Sequence, residues 1–245
     1  MKRLFLLAVF MMILWPVETA TGGITDVHMD PNQPTNMDSI TIVVSGSGSS
    51  APAWIDGSDF RMEGTSVELD IFIRLGFLGI PSSWSYSEVI GSLPANSYDL
   101  TVRVYTYSSR YDEYFLTDTH STSFMVIIEA DVEIEPKTLN LASGGKWLNC
   151  HIRLGEDCNV AGVEPNSVVL EGEPNDIYAE WIWYNEKQNI VMAKFNRSEV
   201  LQILDDEDII EIGEAELTVS GELDNGMVFV GTDVIRVRDK GGKKK

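Results

Sequence analysis

Apolar and polar residues alternate along much of this chain. Ile40, Ile42 and Val44 interleave with Thr41 and Val43; Val67, Leu69, Ile71 and Ile73 interleave with Glu68, Asp70 and Phe72; Leu100, Val102 and Val104 interleave with Thr101, Arg103 and Tyr105. A period of two sends alternate side chains to opposite sides of an extended backbone, so these stretches predict strands with one buried face. Turn-forming and strand-breaking residues separate them, at Asp30-Pro31-Asn32, 45–52, 79–83 and Leu93-Pro94-Ala95-Asn96. Short strands so spaced predict a β-sandwich.

A second set opens near Ala130. Val132 and Ile134 alternate with Asp131, Glu133 and Glu135 as far as Pro136, and further strands are predicted over 147–154, 168–170, 177–183 and 190–195. One short helix is expected, capped by Ser198, with Glu199 near the positive end of its dipole and Val200, Leu201, Ile203 and Leu204 supplying apolar faces. Leu217, Val219 and Leu223 lead into Asp224-Asn225-Gly226, after which Val228, Val230 and residues 234–237 run back. Asn-Gly predicts a hairpin there, because both residues tolerate positive φ. The boundary between the halves is expected at 127–130. No Ser- or Gly-rich linker lies there, so the two units should abut.

The beginning of the chain changes the picture. Lys2 and Arg3 precede an apolar run over 4–15, Pro16 breaks it, and the small-residue stretch Thr19-Ala20-Thr21-Gly22 follows. This reads as a secretory signal peptide over 1–22, since the run falls short of the roughly twenty residues that a spanning helix needs. The domain expectation is therefore leader 1–22, a first β unit 23–128, a second 129–238 and a disordered basic tail 239–245. With 18 Lys and Arg against 38 Asp and Glu, the formal net charge is −20. Cleavage removes Lys2, Arg3 and Glu18 and leaves the product more acidic still. Such a surface repels nucleic acid and anionic lipid headgroups, so neither nucleic-acid binding nor membrane insertion after cleavage is expected.

Two resemblances add to this reading. Residues 131–237 resemble a C-terminal β module of secreted microbial multidomain proteins through Val132-Glu-Ile-Glu-Pro-Lys-Thr-Leu-Asn-Leu141, Gly145-Lys-Trp-Leu-Asn-Cys-His-Ile152, Val163-Glu-Pro-Asn-Ser-Val168, Lys194-Phe-Asn-Arg197 and Gly231-Thr-Asp-Val-Ile-Arg-Val237. The resemblance implies an exported, non-catalytic β module. Such modules often carry an Asp- and Gly-rich stretch before the Lys-Phe segment, where this chain has Trp183-Tyr-Asn-Glu-Lys-Gln-Asn189. Residues 24–126 are similar to bacterial immunoglobulin-like domains through Asp30-Pro-Asn-Gln-Pro34, residues 39–44 and Ile90-Gly-Ser-Leu-Pro-Ala-Asn-Ser-Tyr98, which implies a fold and no activity.

Chemical signatures are few. The chain has three histidines, His28, His120 and His151, and none shows the spacing of a zinc-peptidase helix. It has no nucleophile elbow, phosphate loop or dinucleotide-binding glycine pattern. No catalytic residue and no cofactor is assigned. Cys150 and Cys158 are expected to pair as a disulfide in an oxidising compartment. Trp181 and Trp183 lie two apart and share a face if that segment is a strand, either packed in the core or turned outward as a candidate ligand platform. Asp205, Asp206 and Asp208, with Glu207, form an acidic turn and are candidates for a hard cation, although they lack the EF-hand spacing. Asn196-Arg-Ser198 is formally a glycosylation sequon.

The expectation is an all-β, secreted protein of two consecutive immunoglobulin-like β-sandwiches with one short helix in the second. It is expected to be no enzyme, and to act as an extracellular binding or structural module. Its partner would be a protein or a polysaccharide at the cell exterior. The alternative is an accessory or catalytic component of polysaccharide degradation. An exposed sheet edge offers a further route to a protein partner.

Overall fold

A computed structural model describes residues 22–141, 143–155, 158–172, 175–206 and 213–238. Residues 1–21, where the leader is expected, and 239–245, the expected basic tail, fall outside these residues. The first half runs β1 (Gly22–Asp30), β2 (Ile40–Gly48), β3 (Ala53–Glu63), β4 (Ser66–Leu75), β5 (Ser82–Gly91), β6 (Asn96–Ser108) and β7 (Glu113–Val126). The second runs β8 (Ile128–Glu129), β9 (Asp131–Glu135), β10 (Thr138–Asn140), β11 (Trp147–Arg153), a 3-10 turn (Val160–Gly162), β12 (Val169–Leu170), β13 (Ile177–Tyr178), β14 (Trp181–Asn185), β15 (Ile190–Asn196), α1 (Arg197–Asp206), β16 (Gly213–Glu222) and β17 (Val228–Arg238). Among the described residues, the regular secondary structure is β apart from α1 and the 3-10 turn.

The first half holds two sheets, ordered β1-β2-β5 and β3-β4-β6-β7. Their central strands carry the strongest alternation, and the apolar set on each is buried: Ile40, Ile42 and Val44 on β2, Val67, Leu69, Ile71 and Ile73 on β4, Leu100, Val102 and Val104 on β6. These side chains form one cluster with Met29, Trp84 and Val126, so the two sheets share a core. The pairing is antiparallel except between β4 and β6, which run parallel with Ile73 beside Thr106. Gly46 is required where Trp84 folds over β2, because a Cβ there would lie 2.1 Å from the indole.

The second half also holds two sheets, β14-β15-β11-β9 and β10-β17-β16-β12-β13, with β8 added to β17. One sheet supplies Val132, Ile134, Leu148, Cys150, Ile152, Val191, Ala193 and Phe195 to a second buried cluster. The other supplies Ile128, Leu139, Leu170, Ala215, Leu217, Val219, Phe229 and Ile235. Val200 and Leu204 from α1 pack against it.

Several expectations need correction. Residues 177–183 do not form one strand: β13 and β14 belong to different sheets, and the chain changes sheet at Ala179 and Glu180. The helix is capped by Asn196, whose Oδ1 accepts the Ser198 N–H at 3.0 Å, so Ser198 sits in the first turn instead of capping it. In the β16–β17 connection Gly226 alone has positive φ, while Asn225 uses its Oδ1 to accept the Met227 N–H. The expected disulfide is absent: Cys150 is a fully buried thiol on β11 and is not joined to Cys158. The inward direction of Cys150 follows from strand parity, since it is opposite Ala193 and Ile134, both in the core.

Candidate ligand-binding face

The tryptophan pair points outward. Trp181 and Trp183 are each 46% exposed, and the intervening Ile182 and the following Tyr184 take the inner side of β14. Tyr184 fixes this choice: its hydroxyl donates to the Val163 carbonyl at 2.8 Å on the inner side, and burial pushes its phenol pKa up. An alternation of Trp with Ile and Tyr offers two apolar faces, and this tether selects which one is core. Successive outward residues on a strand are about 6.6 Å apart, so the two indoles stand side by side at the sheet edge.

Strand register extends the face inward from that edge. Trp181 is opposite Lys194, which is opposite Asn149 and then Glu135. Trp183 leads in the same way to Met192, His151 and Glu133, and Asn185 leads to Ile190, Arg153 and Asp131. Trp147 closes the face at the other end of β11, opposite Asn196. The result is a broad sheet surface with three indoles, a methionine and a border of acids, an imidazole and a guanidinium.

Local contacts hold these side chains in place. The Lys194 ammonium lies 5.0 Å from the centre of the Trp181 ring, and the Lys146 ammonium 4.3 Å from that of Trp147. Arg153 donates to Asp131 at 3.1 Å and to Glu133 at 3.4 Å, which raises the guanidinium pKa, the Asp131 bond contributing most. Asn196 donates to Glu180 at 2.9 Å while also capping α1, so the sequon asparagine is already engaged on both sides of its amide. His151 Nε2 is 3.9 Å from Glu135, too far for a hydrogen bond.

The surface suits binding by contact. Flat aromatic faces take apolar ring surfaces, while carboxylates, an amide and a guanidinium around them supply acceptors and donors for hydroxyl groups. Trp147, His151, Arg153 and Met192 were not picked out from the sequence. The signal was present in the outward parity of β11 and β15, and it needed the pairing register to be assembled. No group of three or more His, Cys, Asp or Glu fit to hold a metal occurs among the described residues. The Asp205 and Asp206 side chains and all of Asp208 lie outside the described parts, so the cation expectation falls there too. No described helix is long and apolar enough to cross a membrane.

No protein-family model, no curated protein and no solved structure matches the chain.

Proposed function

We propose that this is a secreted, non-catalytic binding protein whose ligand is a polysaccharide at the cell exterior, held on the outer face of β14-β15-β11-β9. The observation that carries the reading is the outward, half-exposed pair Trp181 and Trp183, continuous with Trp147, Met192 and His151 on one sheet surface. A soluble chain keeps contiguous apolar surface exposed where it meets a partner. The polar border of this face suits hydroxyl-rich rings better than the dry centre of a permanent protein interface, which is depleted in charge. The same face would serve an accessory subunit of polysaccharide breakdown, with the chemistry done elsewhere. In this reading each half is an immunoglobulin-like sandwich, supported by two sheets that share one buried cluster in each.

Retention on a panel of insoluble polysaccharides tests the proposal. The unaltered chain should bind at least one of them, and Trp181→Ala with Trp183→Ala should abolish retention while the melting temperature stays within a few degrees. Retention unchanged in the double variant, or no retention on any glycan, would refute it.

A further inference from the structure

The loop between β4 and β5 displays three apolar side chains to solvent: Phe77 is 94% exposed, Leu78 60% and Ile80 54%. This display is built and held. The Gly76 N–H donates to the Pro52 carbonyl at 2.7 Å, the Leu78 N–H to the Ala51 carbonyl at 3.4 Å and the Gly79 N–H to the hydroxyl of buried Ser50 at 2.9 Å. Gly79 takes the positive φ that the bend requires. The parallel register of β4 and β6 sets the β6–β7 turn, with exposed Tyr111 and Arg110, at the same end of the unit.

Two further observations bear on what meets this end. Residues 39–55 and 75–87, which build and support the loop, contain no Asp, Glu, Lys or Arg in a chain whose net charge is −20, and charges at this end include Arg110, Asp112 and Glu113 in the neighbouring β6–β7 turn. And β1 starts here: a Cβ on Gly22 would touch Ile73 and Thr106, at the ends of β4 and β6. β7 then runs for 14 residues, about 43 Å at strand rise, from this end to the junction with the second half.

We propose that the Phe77-Leu78-Gly79-Ile80 loop docks into the surface of an uncharged lipid bilayer, with Tyr111 and Arg110 at the level of the headgroups. This goes beyond the polysaccharide reading and does not depend on it; the first unit then acts as a spacer that holds the tryptophan face away from the membrane. A bilayer accepts a convex wedge of three side chains, and aromatic rings with a polar tip favour its interfacial zone. The uncharged loop can enter lipid without desolvating a charge, while the charged β6–β7 turn stays at the headgroups. A second copy is a poorer occupant, because two convex loops cannot cover the roughly 800 Å² per partner of a stable interface.

An environment-sensitive fluorophore placed in the full chain on Leu78→Cys, in a Cys158→Ser background, tests this with phosphatidylcholine vesicles. Cys150 is buried and stays unlabelled. The same label on Met37→Cys, exposed near the opposite end of the unit, serves as the reference. The expected result is a blue shift and several-fold rise in emission at 78, no change at 37, and loss of the response at 78 when Phe77→Asp and Ile80→Asp are added. An aqueous spectrum at 78 in the presence of vesicles overturns the proposal, even if the apolar leader itself tethers the chain. So does an equal response without lipid accompanied by doubled mass in light scattering, which would assign the loop to a second copy.

Discussion

Asp233 shows how much one residue can decide here. Phe229, Ile235 and Val237 face inward on β17, and parity puts Asp233 on the same side, where its side chain is 13% exposed. A carboxylate there is tolerable because it accepts the Ile134 N–H and the Lys137 ammonium, each at 2.5 Å, tying β9 to β17. Burial pushes its pKa up, but Lys137 and the Ile134 N–H outweigh that and leave it below its ordinary 3.8. Glu68 is lowered by Arg103, and Asp56 mainly by the Tyr114 hydroxyl. Carboxyls with depressed folded pKa contribute stability that is complete above their unfolded values and disappears as pH falls through the folded ones. The protein should therefore lose stability as pH drops below about 4. Asp233→Asn should cost about 1–3 kcal/mol at pH 7 and flatten the acid limb of Tm against pH; an unchanged limb would show that this ionisation is not linked to folding. Asp233 was invisible as a site in the sequence, because the run from Val228 to Val237 reads as apolar alternation and its partners are nearly a hundred residues away.

At the scale of elements, the central strands were legible and the edges were not. β2, β4 and β6 each have neighbours on both sides and one face in the core, so their buried apolar residues fall at every second position. β1, β3, β5 and β7 lie at sheet edges and carry mixed or polar sequences such as Glu113-Tyr-Phe-Leu-Thr-Asp-Thr, with little buried on either side, so periodicity gave no signal for them. The change of sheet between β13 and β14 was hidden for a different reason: Ala179 and Glu180 contain no turn residue, and the break is set by Glu180 donating its N–H to Lys194 while Ala179 bonds to Val168. At the start of α1, Asn196 supplies the cap and Arg197 is buried, its guanidinium donating to the carbonyls of Asn140 and Ser143. Asn196→Ala is expected to lower stability by about 1 kcal/mol, with Ser198→Ala nearly silent, as read by chemical denaturation. The reverse order would restore Ser198 as the cap.

Across the whole molecule, the two halves meet through a segment with no slack. Ile127 donates its N–H to Pro34 at 3.0 Å and accepts the Asn36 N–H at 2.8 Å, and the Glu129 N–H bonds to the Asn36 amide oxygen at 2.9 Å. On the other side, Ile128 and Glu129 pair with Phe229 and Val230, and the Ala130 N–H reaches the Val230 carbonyl at 2.7 Å. Successive residues are thus bound alternately to the two units. Asn36→Ala removes one of these ties and should speed proteolytic cleavage within 126–130 without altering either core; equal cleavage rates would mean that the remaining bonds suffice.

In the proposed function, the outward tryptophan face makes the contact with ligand. Acrylamide quenching of tryptophan emission, with and without soluble fragments of whichever polysaccharide retains the protein, reads that contact itself. Trp181 and Trp183 should be shielded on binding, giving a blue shift and reduced quenching that vanish in the Trp181→Ala, Trp183→Ala protein. Binding that leaves both indoles as quenchable as before would place the ligand elsewhere on the molecule.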